Sequence, residues 1–279
     1  MTAKFLRGSV ALLVFGAFLS AGAAVCMAQY GDQSMPQTPQ SGPAQGAPAK
    51  APAPAVNKAE EDAYKALSAR TAGPAAQIQL ADDFVKKFPD SLYVASVYGI
   101  LTTAYFGTGD EDKMFVAGNK ALELNPDNVD VLSLLAMAMP RRIRSTTPDA
   151  AQQMVKAEEY ARHAIELIPN LPKPPDVDDA TFEKAKNEKL SMSHSGLGLI
   201  DSNHGKWDDA RTELMLAVQL AGTPDPVDYY LLGRADMNAS YFNDAVTAFG
   251  KCAASGPLAA QCKTLGDTAQ HRAATELSK

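Results

Sequence analysis

From about residue 58 onward, apolar positions recur at helical spacing, and short clusters of Gly, Pro, Asn and Asp cut the runs at close intervals. This pattern predicts pairs of amphipathic helices. Ala59 to Ser68 reads as a helix with Ala63, Ala66 and Leu67 on one side. Gly73-Pro74 breaks it, and Pro74 suits the first position of the next helix, whose face is Ile78, Leu80, Ala81, Phe84, Val85 and Phe88. Tyr98, Leu101 and Tyr105 form another face, followed by a turn at Gly107 to Asp110. The partner helix carries Val116, Ala117, Ala121, Leu122 and Leu124 and closes at Asn125-Pro126. A third pair starts at Val129 with Val131, Leu132, Leu134, Leu135 and Met139, and its second helix runs from Ala150 to Ile168. A last amphipathic helix spans Ala259 to Ser278, with Leu265, Ala269, Ala273 and Leu277 in register.

Between residues 197 and 257 the pattern is written twice. Leu197, Gly198, Trp207, Ala210, Leu214 and Ala217 are followed, each 35 residues later, by Leu232, Gly233, Phe242, Ala245, Phe249 and Cys252, with Pro257 closing the second copy. A period near 34 residues belongs to stacked helical hairpins. The spacing and residue types resemble the tetratricopeptide repeat (TPR) family, and Lys120 to Asp127 has a typical TPR ending. The resemblance implies an all-α, right-handed solenoid of stacked antiparallel hairpins with a C-terminal capping helix. Five hairpins are expected, two of them degenerate. In the family's packing Gly198, Gly233, Ala210 and Ala245 are small where helices cross, and Leu214 and Phe249 fill the gap to the adjacent hairpin.

Three departures stand out. Thr102, Met114 and Gly118 replace the residue sizes that the family prefers, and Gly118 is expected to soften its helix by roughly 1 kcal/mol. Leu101 to Ala121 spans 20 residues, but the equivalent Leu135 to Ala164 spans 29. The extra residues follow Pro140 and hold Arg141, Arg142 and Arg144, expected as a projecting loop that is either a solvated turn or a contact for an acidic group. Residues 170–189 again break the register, with a charge-mixed stretch that extends the next helix backward from near Thr181 and Phe182.

The N-terminal 28 residues have a basic start at Lys4 and Arg7, an apolar run from Val10 to Leu19 and small residues to Ala28: a secretory signal peptide cut after Ala28. The run from Gly8 to Val25 carries no charge, so an uncleaved anchor is a second reading, and lipidation at Cys26 a third that Val25 disfavours. Residues 29–57 are Pro, Gln and Ala-rich with almost no large apolar residue. Such a segment buries too little to offset its ordering entropy and reads as a disordered linker. Residues 58–279 are then the solenoid. This order predicts a protein exported to the periplasm or cell envelope.

The formal net charge of −6 argues against nucleic acid, which calls for a basic footprint. The four histidines lack metal-ligand spacing, no phosphate-binding loop follows a strand, and Ser195-Gly196 and Ser255-Gly256 lack a nucleophile-elbow context. No enzyme chemistry, cofactor or metal is expected. Cys252 and Cys262, ten residues apart, read either as a disulfide between the last hairpin and the cap or as two buried thiols.

TPR proteins usually bind through the first helices of their hairpins, on the concave side. The family's carboxylate-clamp positions fall here on Gly99, Thr103, Ser133, Met137, Ser195, Leu199, Tyr230 and Arg234, of which only Arg234 has clamp chemistry. The resemblance points instead to a mostly uncharged groove of Phe106, Met137, Met192, Leu199, Tyr230, Arg234 and Met237, suited to a partner's peptide or helix. The alternative is that several of these side chains are core. Protein partners are implied, and self-association through the atypical first hairpin is the structural alternative. An accessory subunit of an envelope enzyme is a further one.

Overall fold

The computed structural model describes residues 58–279 other than Arg70, Ser145 and Ser255, so the expected signal peptide and linker lie outside the described residues. The described residues form eleven α-helices and no strand: α1 (Lys58–Ser68), α2 (Pro74–Lys87), α3 (Val94–Thr108), α4 (Glu111–Leu124), α5 (Val129–Arg142), α6 (Ala150–Leu167), α7 (Asp179–Asn203), α8 (Trp207–Leu220), α9 (Pro226–Asn238), α10 (Phe242–Cys252) and α11 (Ala259–Thr275). The hairpins are α1–α2, α3–α4, α5–α6, α7–α8 and α9–α10, and α11 packs on α10 as the cap. Each second helix also packs on the first helix of the next hairpin, and the first helices from α3 to α9 touch in sequence to form one row. This is a TPR-like stack.

Local chemistry sets the helix ends. The side chains of Asp110, Asn128, Asp178 and Asp225 accept from the backbone amides of Lys113, Val131, Thr181 and Val227 at 3.2, 3.3, 2.9 and 2.9 Å, satisfying otherwise orphaned donors. Between the paired helices the chain turns through left-handed backbone at Gly109 (φ 75°) and Gly205 (φ 73°). Ser240 takes the place of Gly205 one repeat later and keeps the same conformation, φ 68°.

Buried clusters continue from hairpin to hairpin. Leu67, Phe84, Val97 and Leu101 form the first, Met114, Leu132, Leu135 and Ile168 a central one, and Phe249, Cys252, Cys262 and Ala269 the last. A Cβ on Gly198 would come 2.4 Å from Leu214, and one on Gly233 would come 2.8 Å from Phe249. Leu214 and Phe249 therefore lie over the glycine of their own hairpin, rather than filling only the gap to the next.

Two sequence expectations are corrected here, those for Gly118 and for the residues after Pro140, and one is met, the backward extension of α7. Gly118 is buried, and a Cβ there would meet Leu135 at 3.0 Å and Thr102 at 3.2 Å. It is a close-packing residue, with Met114 supplying the missing bulk as a fully buried side chain. Pro140 does not end its helix; α5 continues through it to Arg142. Arg141 and Arg142 accordingly belong to α5 and not to a projecting loop. The charge-mixed stretch before residue 190 forms the first turns of α7, which is 25 residues long. Those turns are tied back by Lys189 to Asp130 (3.1 Å) and by the Gly222 amide donating to Glu188 (2.9 Å).

Candidate functional site

The row of first helices carries every residue expected in the groove. Leu199 on α7 and Tyr230 on α9 pack partly exposed around a cluster that includes Leu231 and Leu232. Arg234 is exposed one turn on, its guanidinium 5.7 Å from the Tyr230 ring centre. Met237 is partly buried against the last cluster, and Gln261 of the cap donates to the Tyr230 hydroxyl at 3.1 Å. Met192 is partly buried against the central cluster, and Met137 is buried within it. Phe106 is 49% exposed at the end of α3, two hairpins from the α7–α9 group. The structure thus brings Leu199, Tyr230, Arg234 and Met237 together and leaves Phe106 apart.

The equivalent repeat positions along this row differ in the size of the side chain they carry. Gly99, Ser133, Ser195 and Tyr230 each stand two residues before the repeat's leucine. Gly99 is covered by the Asn128 side chain, Ser133 and Ser193 hydrogen-bond across α5 and α7 at 3.1 Å, and Ser195 is buried. Only the last of the four positions carries a large side chain.

Below that surface lies an ion network that the sequence did not reveal. Arg141 at the end of α5 donates to Asp225 and Asp228 at 2.7 Å each and to the Ser195 hydroxyl at 3.0 Å. Ser195 in turn donates to Asp228 at 2.6 Å. Burial pushes the Asp228 carboxyl up from the usual range, against the pull of Arg141 and Ser195. The network joins α5, α7 and the start of α9, so it sets the orientation of the helix that carries Tyr230 and Arg234. Of the other arginines, Arg142 pairs with Asp112 at 2.6 Å, and Arg144 donates to the backbone carbonyl of Arg141 at 2.7 Å.

A second network holds the outer side. Arg211 on α8 bonds Asp236 on α9 at 2.8 Å and Asp244 on α10 at 2.6 Å, and lies 4.1 Å from the centre of the Tyr241 ring. Asp236 is 1% exposed, and burial raises its pKa to about 6 despite Arg211. Beside this network, between α8 and α10 and floored by Tyr229 and Leu232 of α9, is a cavity of about 340 Å³. A cavity of about 430 Å³ lies between α4 and α6, floored by Leu132 of α5. The two are repeat-equivalent: Val218 and Ala248 of the first stand where Leu122 and Tyr160 of the second stand. In the α6–α8 position between them, His194 replaces the floor residue and bonds Glu213 at 2.6 Å.

Cys252 and Cys262 are both fully buried with Cα atoms 5.8 Å apart, a separation that a disulfide requires. Among the described residues no helix is long and apolar enough to cross a membrane, and no group of three or more His, Cys, Asp or Glu side chains is placed to hold a metal ion.

No known family matches the chain, and no curated protein does. Among solved structures it is similar to a thermophilic TPR protein of Thermus thermophilus, with 14% identity over 76% of this chain and 99% of that one, TM-score 0.46. It is similar also to PilW, a widely conserved type IV pilus biogenesis factor, with 13% identity over 78% and 92% and TM-score 0.48. A third is Acl4, the assembly chaperone of RpL4, residues 1–338, with 10% identity over 78% and 96% and TM-score 0.46. Likeness at this level says nothing of function, and the TPR-like assignment rests on the chain's own repeats and helix pairing.

Proposed function

We propose that this TPR-like array is a non-enzymatic protein-interaction scaffold, exported to the bacterial cell envelope, that holds a peptide or helix of a partner against the first helices α7 and α9. The observation that carries the proposal is the grouping of Leu199, Tyr230 and Met237, partly exposed and uncharged, around the single cation Arg234. Flexible Met and flat Tyr side chains adapt to an apolar partner ridge, and Arg234 adds one point of charge selection. The basic, apolar and small-residue order of the first 28 residues supports export. In an oxidising compartment the apposed Cys252 and Cys262 then join as a disulfide.

The test is crosslinking in the native cells with mass spectrometry of the linked peptides, on wild type and Tyr230→Ala. Links from α7 and α9 to one exported protein, lost in the variant, support the reading. Links that join only copies of this chain make it a self-assembling structural element and sink the groove.

A further inference from the structure

We infer that residues 276–279, the last four of the sequence, form a strap that clasps the α7–α8 and α9–α10 turns together and so fixes the angle between the last two hairpins. At the opposite edge these hairpins are joined by the chain itself, through residues 221–225 between α8 and α9. At the turn edge no backbone links them, and a cavity of about 420 Å³ lies there, lined by Gly205, Trp207, Asp208, Asn238, Ser240 and Lys279. The strap crosses that edge.

Polar contacts set its path. Arg272 donates to both carboxylate oxygens of Glu276 at 2.8 Å, and at Glu276 the backbone leaves α11 in an extended conformation. The Arg272 guanidinium also lies 4.3 Å from the centre of the Phe242 ring. The Ser278 hydroxyl then accepts from the Phe242 amide at 3.1 Å. That amide is the first of α10, whose own N-cap residue, Tyr241, makes no side-chain capping bond. Ser278 thus caps α10 from 36 residues away and satisfies a donor that the helix leaves orphaned. The Lys279 amide donates to the Ser240 carbonyl at 2.8 Å, and its ammonium reaches Asp208 of α8 at 3.2 Å.

Two features make this a clasp that can release and not a part of the core. Leu277, its one large apolar side chain, is 97% exposed, so burial does not hold it. The Lys279 and Asp208 side chains are 53% and 61% exposed, and an ion pair so exposed is weak and screened by salt. Release reaches the inner surface. Leu199 and Arg234 occupy equivalent repeat positions, each six residues before Gly205 or Ser240 at the clasped edge. A change of angle at that edge changes the separation of Leu199 and Arg234. This last step rests on the groove reading above; the strap does not.

Trp207, the single tryptophan, is partly buried and lines the cavity, so its fluorescence reports the clasp. Quenching by acrylamide, an uncharged probe, is measured on the full chain and on a variant lacking residues 276–279, which retains the sequence of all eleven helices. The quenching constant is expected to rise about twofold on deletion and by part of that in Ser278→Ala. Ser278→Asp, which keeps a capping oxygen, is expected to stay near wild type. Asp208→Asn and Lys279→Gln are each expected to raise quenching, and together to raise it no further, because both break one contact. Circular dichroism shows whether the shortened chain keeps its fold; if it does not, Ser278→Ala decides. Unchanged quenching, or Ser278→Asp behaving as Ser278→Ala, overturns the strap. Crosslinks from α7 and α9 in the native cells are expected to fall on deletion. If they fall in Tyr230→Ala but not on deletion, the action of the strap on the groove is overturned. If Tyr230→Ala leaves them unchanged as well, the groove reading fails and the strap stands on the Trp207 signal.

Discussion

Gly196 of α7 lies against the main-chain carbonyl of Ala136 in α5: a Cβ on residue 196 would sit 2.3 Å from that oxygen. The amide that ordinarily bonds this carbonyl belongs to residue 140, which is Pro140 and has none. The helix thus leaves one carbonyl without its usual donor where the neighbouring backbone comes closest, a setting for weak Cα–H···O contact. Gly196→Ala is expected to lower unfolding stability by about 1–3 kcal/mol, since backbone cannot retreat as a side chain can. Gly250→Ala, in α10 with nothing within 4 Å of its Cβ, is expected to raise stability by about 0.5–1 kcal/mol. Urea denaturation of the two variants reads both signs. A neutral Gly196→Ala contradicts the close approach.

Arg141 is the shared partner of Asp225, Asp228 and Ser195. Arg141→Met removes the cation and leaves Asp228, 4% exposed, buried without its charge partner. Stability is expected to fall by about 3–5 kcal/mol. Asp228→Asn added to Arg141→Met is expected to recover part of the loss, because the unpaired charge is gone. A double-mutant cycle by thermal unfolding measures the coupling, and additive losses would mean that the network contributes no interaction of its own.

Asp236 makes stability depend on pH. Its pKa in the folded protein is about 6, above the 3.8 of a free side chain, so the folded state holds the proton more tightly. Its contribution is present in full below about pH 4 and is lost as pH rises through about 6. Asp228 and Asp201, both raised by burial, act in the same direction. Wild-type stability is therefore expected to decline between about pH 4 and 7 more steeply than that of Asp236→Asn. Parallel pH profiles for the two proteins would place the titration elsewhere.

Cys252 and Cys262 are placed to tie α11 to α10. A bridge that closes a ten-residue loop stabilises by about 2–3 kcal/mol. Cys262→Ser is expected to lose about that much without reductant and to match wild type once a thiol reductant has opened the wild-type bridge. Free-thiol titration of the unfolded, unreduced protein reads the bond directly, and two free thiols would show that the pair is unbridged.

Ser240 holds a left-handed backbone where Gly205 stands one repeat earlier. A side chain in that conformation costs roughly 1–2 kcal/mol, partly offset by the greater freedom of an unfolded glycine. Ser240→Gly is expected to stabilise by about 0.5–1 kcal/mol in thermal unfolding. A loss would show that the Ser240 side chain makes a compensating contact.

The sequence by itself determined the helices and their pairing. Gly73-Pro74, Asn125-Pro126 and the 35-residue offset from Leu197 to Leu232 are local signals, and they act through backbone preference and the burial of one helix face. The cysteine pair was legible for the same reason, since ten residues of turn leave little choice of neighbour. What only the tertiary structure decided lies across hairpins. Pro140 and three arginines within five positions read as a loop, because a helix-breaking residue and a run of charge are what a loop has. The helix persists because α5 is buried among its neighbours and Arg141 finds carboxylates on α9, 84 and 87 residues away. Gly118 read as a soft spot until Leu135 of the next hairpin proved to need its space. Met137 was legible as inner-helix but not as buried, and nothing in the local pattern marked Ser278 as the cap of α10. Helix formation is an accounting of nearest neighbours along the chain. Which carboxylate meets which arginine, and which helix end a distant serine caps, is set by packing between segments that the chain brings together only once it has folded.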